Sequence, residues 1–328
     1  MSGQALVEVN NLKKYFPIKA GVTRKTVGHV KAVDGVSFKI ERGKTMGLVG
    51  ESGCGKSTTG RTMLRLLSAT DGDVRFDGND MLSMDKSRLR SFRTRMQIIF
   101  QDPYSSLNPR LPVKDIVGEA MLQHKIVHSK QEMKERVIDI IGKCGLFPEQ
   151  ALRYPHQFSG GQRQRICIAR ALAVNPEFVV CDEAVSALDV SIQSQIINLL
   201  KDMQEEMGLT YMFISHDLSV VKFISDDVGV MYVGHLVEYG SRDKIFSNPV
   251  HPYTKALLSA APSFDPKARG GKGRIVMEGD VPSPANPPSG CRFHTRCPHV
   301  EPICKETIPE NRELESGHFV MCHKAESL

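Results

Sequence analysis

An α/β fold built on a mostly parallel sheet is the prediction, and three features of the chain point to it. Short β-branched or apolar runs, TMGLVG at 45–50 and FVVCD at 178–182, each give way to a polar turn and then to helical periodicity. Between Gln101 and Pro176 the chain reads as helical, with apolar residues three and four apart in SKQEMKERVIDIIGKCGL at 129–146, as a helical insertion inside such a domain would read. Nine of the eighteen prolines lie from Pro262 onward, which predicts a separate, irregular C-terminal unit. The expected organisation is an α/β domain over 1–262, with a helical subdomain at about 105–176, followed by a Pro/Cys-rich domain over 263–328.

The rest of the composition narrows the classes. At 41% hydrophobic and 24% charged, the 328 residues exclude a disordered or collagen-like chain and suffice for a real core. The absence of an internal repeat excludes a solenoid and a tandem duplication. No apolar run approaches the roughly 18 residues of a membrane span, and MSGQALVEVN lacks the basic-then-apolar pattern of a secretory signal, so a cytosolic protein is expected. In that compartment eight cysteines are not a disulfide framework. A net charge of +6 suits a polyphosphate ligand or an anionic surface without selecting either.

The first strand-to-helix junction carries chemistry. Gly50, Glu51, Ser52, Gly53, Cys54, Gly55, Lys56 and Ser57 spell G-x-x-x-x-G-K-S between the apolar run ending at Val49 and the helical stretch that Ser57 and Thr58 open. Glycines let successive N–H groups converge on phosphate oxygens, the helix N-terminus adds its dipole, Lys56 neutralises charge and Ser57 can ligate Mg²⁺. Further along, Phe158, Ser159, Gly160, Gly161 and Gln162 precede the basic helix RQRICIARAL, placing amides at a second positive helix terminus. The strand FVVCD ends in Asp182, suited to holding Mg²⁺ through Ser57 and water, and Glu183 follows, placed to polarise an attacking water. One polypeptide does not easily fold both phosphate sites around one nucleotide, whereas a dimer with each nucleotide between two chains does.

On these motifs, from about residue 5 to residue 245, the chain resembles an ATP-binding cassette (ABC) ATPase. The resemblance implies a P-loop ATPase core of RecA type, an antiparallel β subdomain and a helical signature subdomain. It implies that Gly50–Ser57 are the Walker A loop, Phe178–Asp182 the Walker B strand and Glu183 the catalytic base. Gln101 matches the Q-loop glutamine that touches Mg²⁺ or the attacking water. Phe158–Gln162 match the signature loop, with Phe for the usual Leu. Asp189, in SALD, matches the D-loop, and His216, in FISHDLS, the histidine that contacts the γ-phosphate. Phe16 resembles the aromatic on which adenine stacks, and the neighbouring Tyr15 is the alternative. Ala184 stands where the family usually has proline, a position that supplies no reacting group, so hydrolysis is expected to survive.

The tail narrows the resemblance. NPVHPYTKALLSAAP at 248–262, followed by VPSPANPPSGCRFHTRC, is similar to the ATP-binding subunits of dipeptide and oligopeptide (or nickel) importers, and YPHQFSGGQRQRICIARAL suits their F-type subunit. That branch implies a peripheral motor on the cytoplasmic face of the membrane. Its partners would be two permease subunits, a second related ATPase and, through the complex, a solute-binding protein. Cys291-x5-Cys297-x6-Cys304-x17-Cys322 puts four thiols in a proline-rich stretch with little else to build a core from. The resemblance implies a [4Fe–4S] cluster there. The spacing lacks the Cys-x-x-Cys pairs of many zinc sites, but His294, His299 and His323 keep a mixed zinc site open, as are four unligated thiols. The scattered Cys54, Cys144, Cys167 and Cys181 read as small apolar fillers.

The basic stretch Lys86, Arg88, Arg90, Arg93 and Arg95, and the one from Lys19 to Lys31, read as solvated faces, since no aromatics interleave for base stacking and no nucleic acid is expected as partner. The rival function is a soluble ABC ATPase acting on ribosomes or DNA. Proteins of that kind generally carry two cassettes or a long coiled-coil insertion, and neither is present.

Overall fold

The structure is a computed structural model, and it describes residues 4–21, 24–260 and 275–327. They fall into two compact units, one comprising the chain up to Leu82 and from Ser215 onward, the other Ser83–Ile214. The expected boundary between residues 262 and 263 lies outside the described residues.

The first unit opens with a long antiparallel hairpin, β1 (Ala5–Ala20) and β2 (Lys25–Glu41), in which Tyr15 faces Lys31 and Phe16 faces Val30. The Lys19–Lys31 charge run is the end of this hairpin, exposed or half-buried throughout its described residues. β3 (Thr45–Val49) is buried at all five residues and feeds a glycine-rich turn and α1 (Lys56–Met63). β4 (Asp71–Phe76) and β5 (Asn79–Asp80) complete a four-stranded antiparallel sheet in the order β2-β1-β4-β5.

The second unit begins with α2 (Lys86–Phe92), whose only buried residue is Leu89, so most of the basic stretch faces solvent. β6 (Met96–Ile99) follows. The helical stretch then contains α3 (Pro103–Ser106), α4 (Val113–Gln123), α5 (Lys130–Lys143) and, after two 3-10 turns, α6 (Gly160–Leu172). α5 shows how the sequence sets these helices: the Ser129 hydroxyl accepts from Glu132 N at 3.1 Å, and Met133, Val137, Ile140 and Ile141 form the buried stripe. β7 (Phe178–Asp182), α7 (Val190–Met207) and β8 (Thr210–Ile214) close the unit. Its strands are parallel, in the order β6-β7-β8. Every residue of β7 and β8 is buried, which is why both read as continuous apolar runs without alternation.

The chain then returns to the first unit with α8 (Leu218–Ile224), β9 (Asp227–Tyr232), β10 (His235–Ser241), α9 (Arg242–Ser247) and α10 (Pro252–Ser259). After the undescribed segment come α11 (Pro302–Glu306), β11 (Arg312–Glu315) and β12 (His318–Val320). β3 pairs with β9 in parallel, while β9–β10, β10–β12 and β12–β11 are antiparallel, so this sheet is mixed where a mostly parallel one was expected, and the four-stranded sheet beside it is antiparallel. The tail contributes two of these strands. β12 extends β10, with Glu238 opposite Val320, and His318 Nε2 meets the buried Glu238 carboxylate at 2.9 Å. No helix among the described residues is long and apolar enough to cross a membrane.

Candidate active site

In the first unit, buried β3 delivers the chain into a loop that only glycine can shape at two points. Gly50 has φ +147°, and a Cβ there would lie 2.2 Å from the Met231 carbonyl oxygen; Gly55 has φ +112°, and its Cβ would lie 2.1 Å from that of Ala32. Between them, the Cys54 carbonyl accepts from Gly234 N at 2.9 Å. Lys56, at the start of α1, is only 4% exposed, and its ammonium donates to the carbonyls of Gly50 (2.8 Å) and Glu51 (3.1 Å). Ser52 and Gly53 are exposed at the tip, and Ser57 and Thr58 are half-buried on the first turn of α1. Burial pushes the Cys54 thiol up, and Lys56 Nζ lies 3.8 Å from its sulfur. His216 is exposed, just before the Asp217 carboxylate that caps α8 by accepting from Ser219 N at 2.8 Å.

The two aromatic candidates on β1 differ. The Tyr15 hydroxyl donates to the Asp34 carboxylate, which also accepts from Arg292 Nη2 at 2.8 Å. Hydrogen bonds from His235 and Tyr15 hold Asp34 well below the usual carboxylate range. Phe16 is half-buried and presents a ring face, with Lys14 Nζ 4.8 Å from its centroid.

In the second unit, Asp182 ends β7 fully buried. Glu183 follows in the left-handed region at φ +50°, a conformation that costs a non-glycine residue on the order of 1–3 kcal/mol. Its amide donates to the Ile214 carbonyl at 3.1 Å and its own carbonyl accepts from the Ser186 hydroxyl at 3.0 Å, so the turn is fixed on both sides. The side chain meets Gln101, whose Nε2 donates to Glu183 Oε2 at 2.8 Å, across 82 residues of sequence. Asp189 caps α7, accepting from Ile192 N and the Ser191 hydroxyl, both at 2.9 Å, and these bonds lower its pKa. Ser159 and Gln162 cap α6 reciprocally: the Ser159 hydroxyl accepts from Gln162 N at 3.3 Å while Ser159 N donates to Gln162 Oε1 at 3.1 Å. Gly160 and Gly161 are half-buried behind them, and a Cβ on Gly161 would lie 2.6 Å from the Ile192 side chain. The predicted residues are therefore distributed as Gly50–Thr58, Phe16 and His216 in the first unit, and Gln101, Ser159–Gln162, Asp182, Glu183 and Asp189 in the second.

The four tail cysteines, Cys291, Cys297, Cys304 and Cys322, line one cavity of about 10 Å³. Burial pushes the Cys291 thiol up to about 12 and raises those of Cys297 and Cys322. Among the described residues, no three His, Cys, Asp or Glu side chains are grouped so as to hold one metal ion. Of the nearby histidines, His294 Nδ1 lies 2.9 Å from the Cys291 carbonyl and His323 Nε2 2.9 Å from that of Thr307. The four scattered cysteines are all buried. The sequence pattern missed what surrounds the loop: Tyr253 and Arg296 meet Glu51, and Arg292 meets Asp34. None of these contacts leaves a local signal.

Comparison with known proteins identifies relatives. A family profile described as "ABC transporter" matches residues 33–186, and one described as "Oligopeptide/dipeptide transporter, C-terminal region" matches 237–304. The chain is 54% identical to the oligopeptide transport ATP-binding protein AppF of Bacillus subtilis, over 98% of this chain and 97% of that protein. It is 50% identical to OppF of Escherichia coli, an oligopeptide transport ATP-binding protein, over 99% and 98% of the two chains. It is 49% identical to DppF of Haemophilus influenzae, a dipeptide transport ATP-binding protein, over 97% and 96%. Among solved structures it is similar to the ATP-binding cassette MJ0796, described as a dimer in a post-hydrolysis state with ADP and phosphate, at TM-score 0.64 and 28% identity, over 72% of this chain and 98% of that one.

Proposed function

As the chain belongs to the oligopeptide and dipeptide transport ATP-binding proteins of the ABC transporter family, we propose that it is the ATP-hydrolysing motor of a peptide importer and that its named residues act as follows. Gly50–Thr58 wrap the phosphates, and the Lys56 ammonium, held on the loop's own carbonyls, turns its charge toward them. Ser57, Gln101 and Asp182 would hold Mg²⁺, which supplies charge neutralisation on the phosphates. Glu183 accepts the proton of the attacking water, and the Gln101 amide, bonded to its carboxylate, fixes the direction in which that carboxylate points. His216 contacts the γ-phosphate, and Phe16 stacks on adenine, since the polar end of Tyr15 is committed to Asp34. Ser159, Gly160, Gly161, Gln162 and Asp189 serve the nucleotide of a partner ATPase, a second related chain. The observation that carries the assignment is the glycine-enforced loop closing on a buried Lys56. The chemistry is phosphoryl transfer to water, in which the protein supplies position and charge.

The partners are two membrane permeases and, through them, a solute-binding protein, with the chain docked on the cytoplasmic face. Peptides are the cargo in this account, as in the names of the relatives, which favours them over chelated nickel and favours transport over work on ribosomes or DNA. The four tail thiols would hold a [4Fe–4S] cluster. Four cysteines lining one cavity, with no carboxylate among the lining residues, support that reading, and His294, His299 and His323 of the same lining are what a mixed zinc site would use instead. Bound there, it would staple the proline-rich segment. Iron and sulfide assays on anaerobically prepared protein test this, and absence of both rejects it.

The transport reading is tested by identifying, by mass spectrometry, what copurifies with the tagged chain from gently solubilised native membranes. Two multi-span proteins, a sister ATPase and a solute-binding protein are expected. Ribosomal proteins or DNA in their place would overturn it.

A further inference from the structure

The phosphate loop is gripped by a residue 245 positions away. Arg296, immediately before Cys297, aims its guanidinium fork at Glu51, with Nη1 2.8 Å from Oε2 and Nη2 3.2 Å from Oε1. Two parallel bonds between planar groups fix a carboxylate in direction as well as distance, which one ammonium contact does not. The Arg296 side chain is 6% exposed and that of Glu51 24%, so the pair is largely withdrawn from water.

Glu51 is also held through its backbone. Its amide donates to the Tyr253 hydroxyl at 2.9 Å, and its carbonyl is one of the two that receive the Lys56 ammonium. Tyr253 is fully buried, its ring 4.6 Å from that of Tyr232 and 5.5 Å from that of Phe293, three residues before Arg296. The peptide that meets Lys56 is thus held at its amide by Tyr253 and through its side chain by Arg296, and on its other side Gly50 lies against the Met231 carbonyl. The same tail segment places Arg292 on Asp34, beside Tyr15 on β1.

Charge supplies the reason for the grip. A carboxylate on the first variable position of a loop that receives a polyphosphate repels the ligand unless something cancels it. We propose that Arg296 is a positioning residue for the ATP site: it cancels the charge of Glu51 and fixes the Glu51 peptide, so that the cysteine-rich segment sets the nucleotide affinity of the phosphate loop. The inference rests on residues 50–57 being that loop.

The test titrates the full-length chain with the magnesium complex of AMP-PNP, a non-hydrolysable ATP analogue, and measures KM and kcat for ATP in the assembled complex. Arg296→Gln is expected to weaken binding on the order of tenfold and to raise KM more than it lowers kcat, because a like charge and a loosened loop act on the bound phosphates. Glu51→Gln should weaken binding less. The double variant Glu51→Gln/Arg296→Gln should bind more tightly than Arg296→Gln alone, a rescue that a merely structural role for Arg296 would not give. Arg296→Lys, which keeps the charge and loses the fork, should fall between wild type and Arg296→Gln, and serves if the glutamine variant does not fold. Wild-type affinity in Arg296→Gln or Arg296→Lys, or no rescue in the double variant, overturns the proposal. A wild-type chain that binds no nucleotide would instead remove the ATP reading beneath it.

Discussion

His251 makes the fold sensitive to acid in a way that can be measured against a single substitution. Its ring is 1% exposed, lies 5.7 Å from that of Phe293, and accepts from Tyr253 N through Nδ1 at 3.1 Å, capping α10. Its own amide donates to the Glu238 carboxylate at 3.0 Å. Burial pulls its pKa down to about 4, against an ordinary 6.5 in the unfolded chain. Between those values the unfolded chain binds a proton that the folded chain refuses, so the His251 contribution is complete above pH 6.5 and is lost as pH falls toward 4. At about 1.4 kcal/mol per pKa unit, the loss by pH 4.5 amounts to roughly 2.5 kcal/mol. Asp227 runs the other way: burial raises it to about 6, so the folded chain keeps a proton the unfolded one releases, and its contribution fades as pH rises from about 4 to 6. The assay is therefore a difference. Urea unfolding of wild type and of His251→Asn at pH 7.5 and 4.5 cancels Asp227 and leaves His251, and wild type should lose about 2.5 kcal/mol more than the variant. Parallel losses in the two proteins would refute the reasoning.

Two other outcomes follow from the same geometry. Gly50→Ala should abolish AMP-PNP binding, because the new Cβ meets the Met231 carbonyl at 2.2 Å in a backbone conformation foreign to alanine; wild-type affinity would mean the loop is not held as described. Cys144 and Cys181, whose thiols burial pushes up, should escape iodoacetamide at pH 8 in the native protein and label fully in urea, which peptide mass spectrometry reads site by site.

What the sequence made legible was contiguous. The Gly50–Ser57 loop and the Asp182–Glu183 step are unbroken strings, and each sits where a fully buried strand ends, so an apolar run announces it. The Gln101–Glu183 bond spans 82 residues and is foreshadowed only by family resemblance. The Glu51–Arg296 fork has no periodicity to betray it, since a pairing across 245 residues leaves two ordinary charges in two ordinary loops. The β1–β2 hairpin is implied only through the resemblance, as part of the antiparallel subdomain, because at its end lysines and arginines on exposed edges read as a charge run and the apolar alternation fades. In the tail, prolines suggest irregular chain, and β11 and β12 are only four and three residues long, too short to show a period. They tie the tail to β10.

Glu183→Gln tests the central claim most directly. Glutamine can keep a hydrogen bond to Gln101 but cannot take a proton, so geometry persists while the base is removed. In the assembled complex this variant should bind ATP as the wild type does and hydrolyse it at least about a hundredfold more slowly, with peptide uptake lost in step. Turnover near the wild-type rate would contradict the account of the chain as a transport ATPase that works through Glu183.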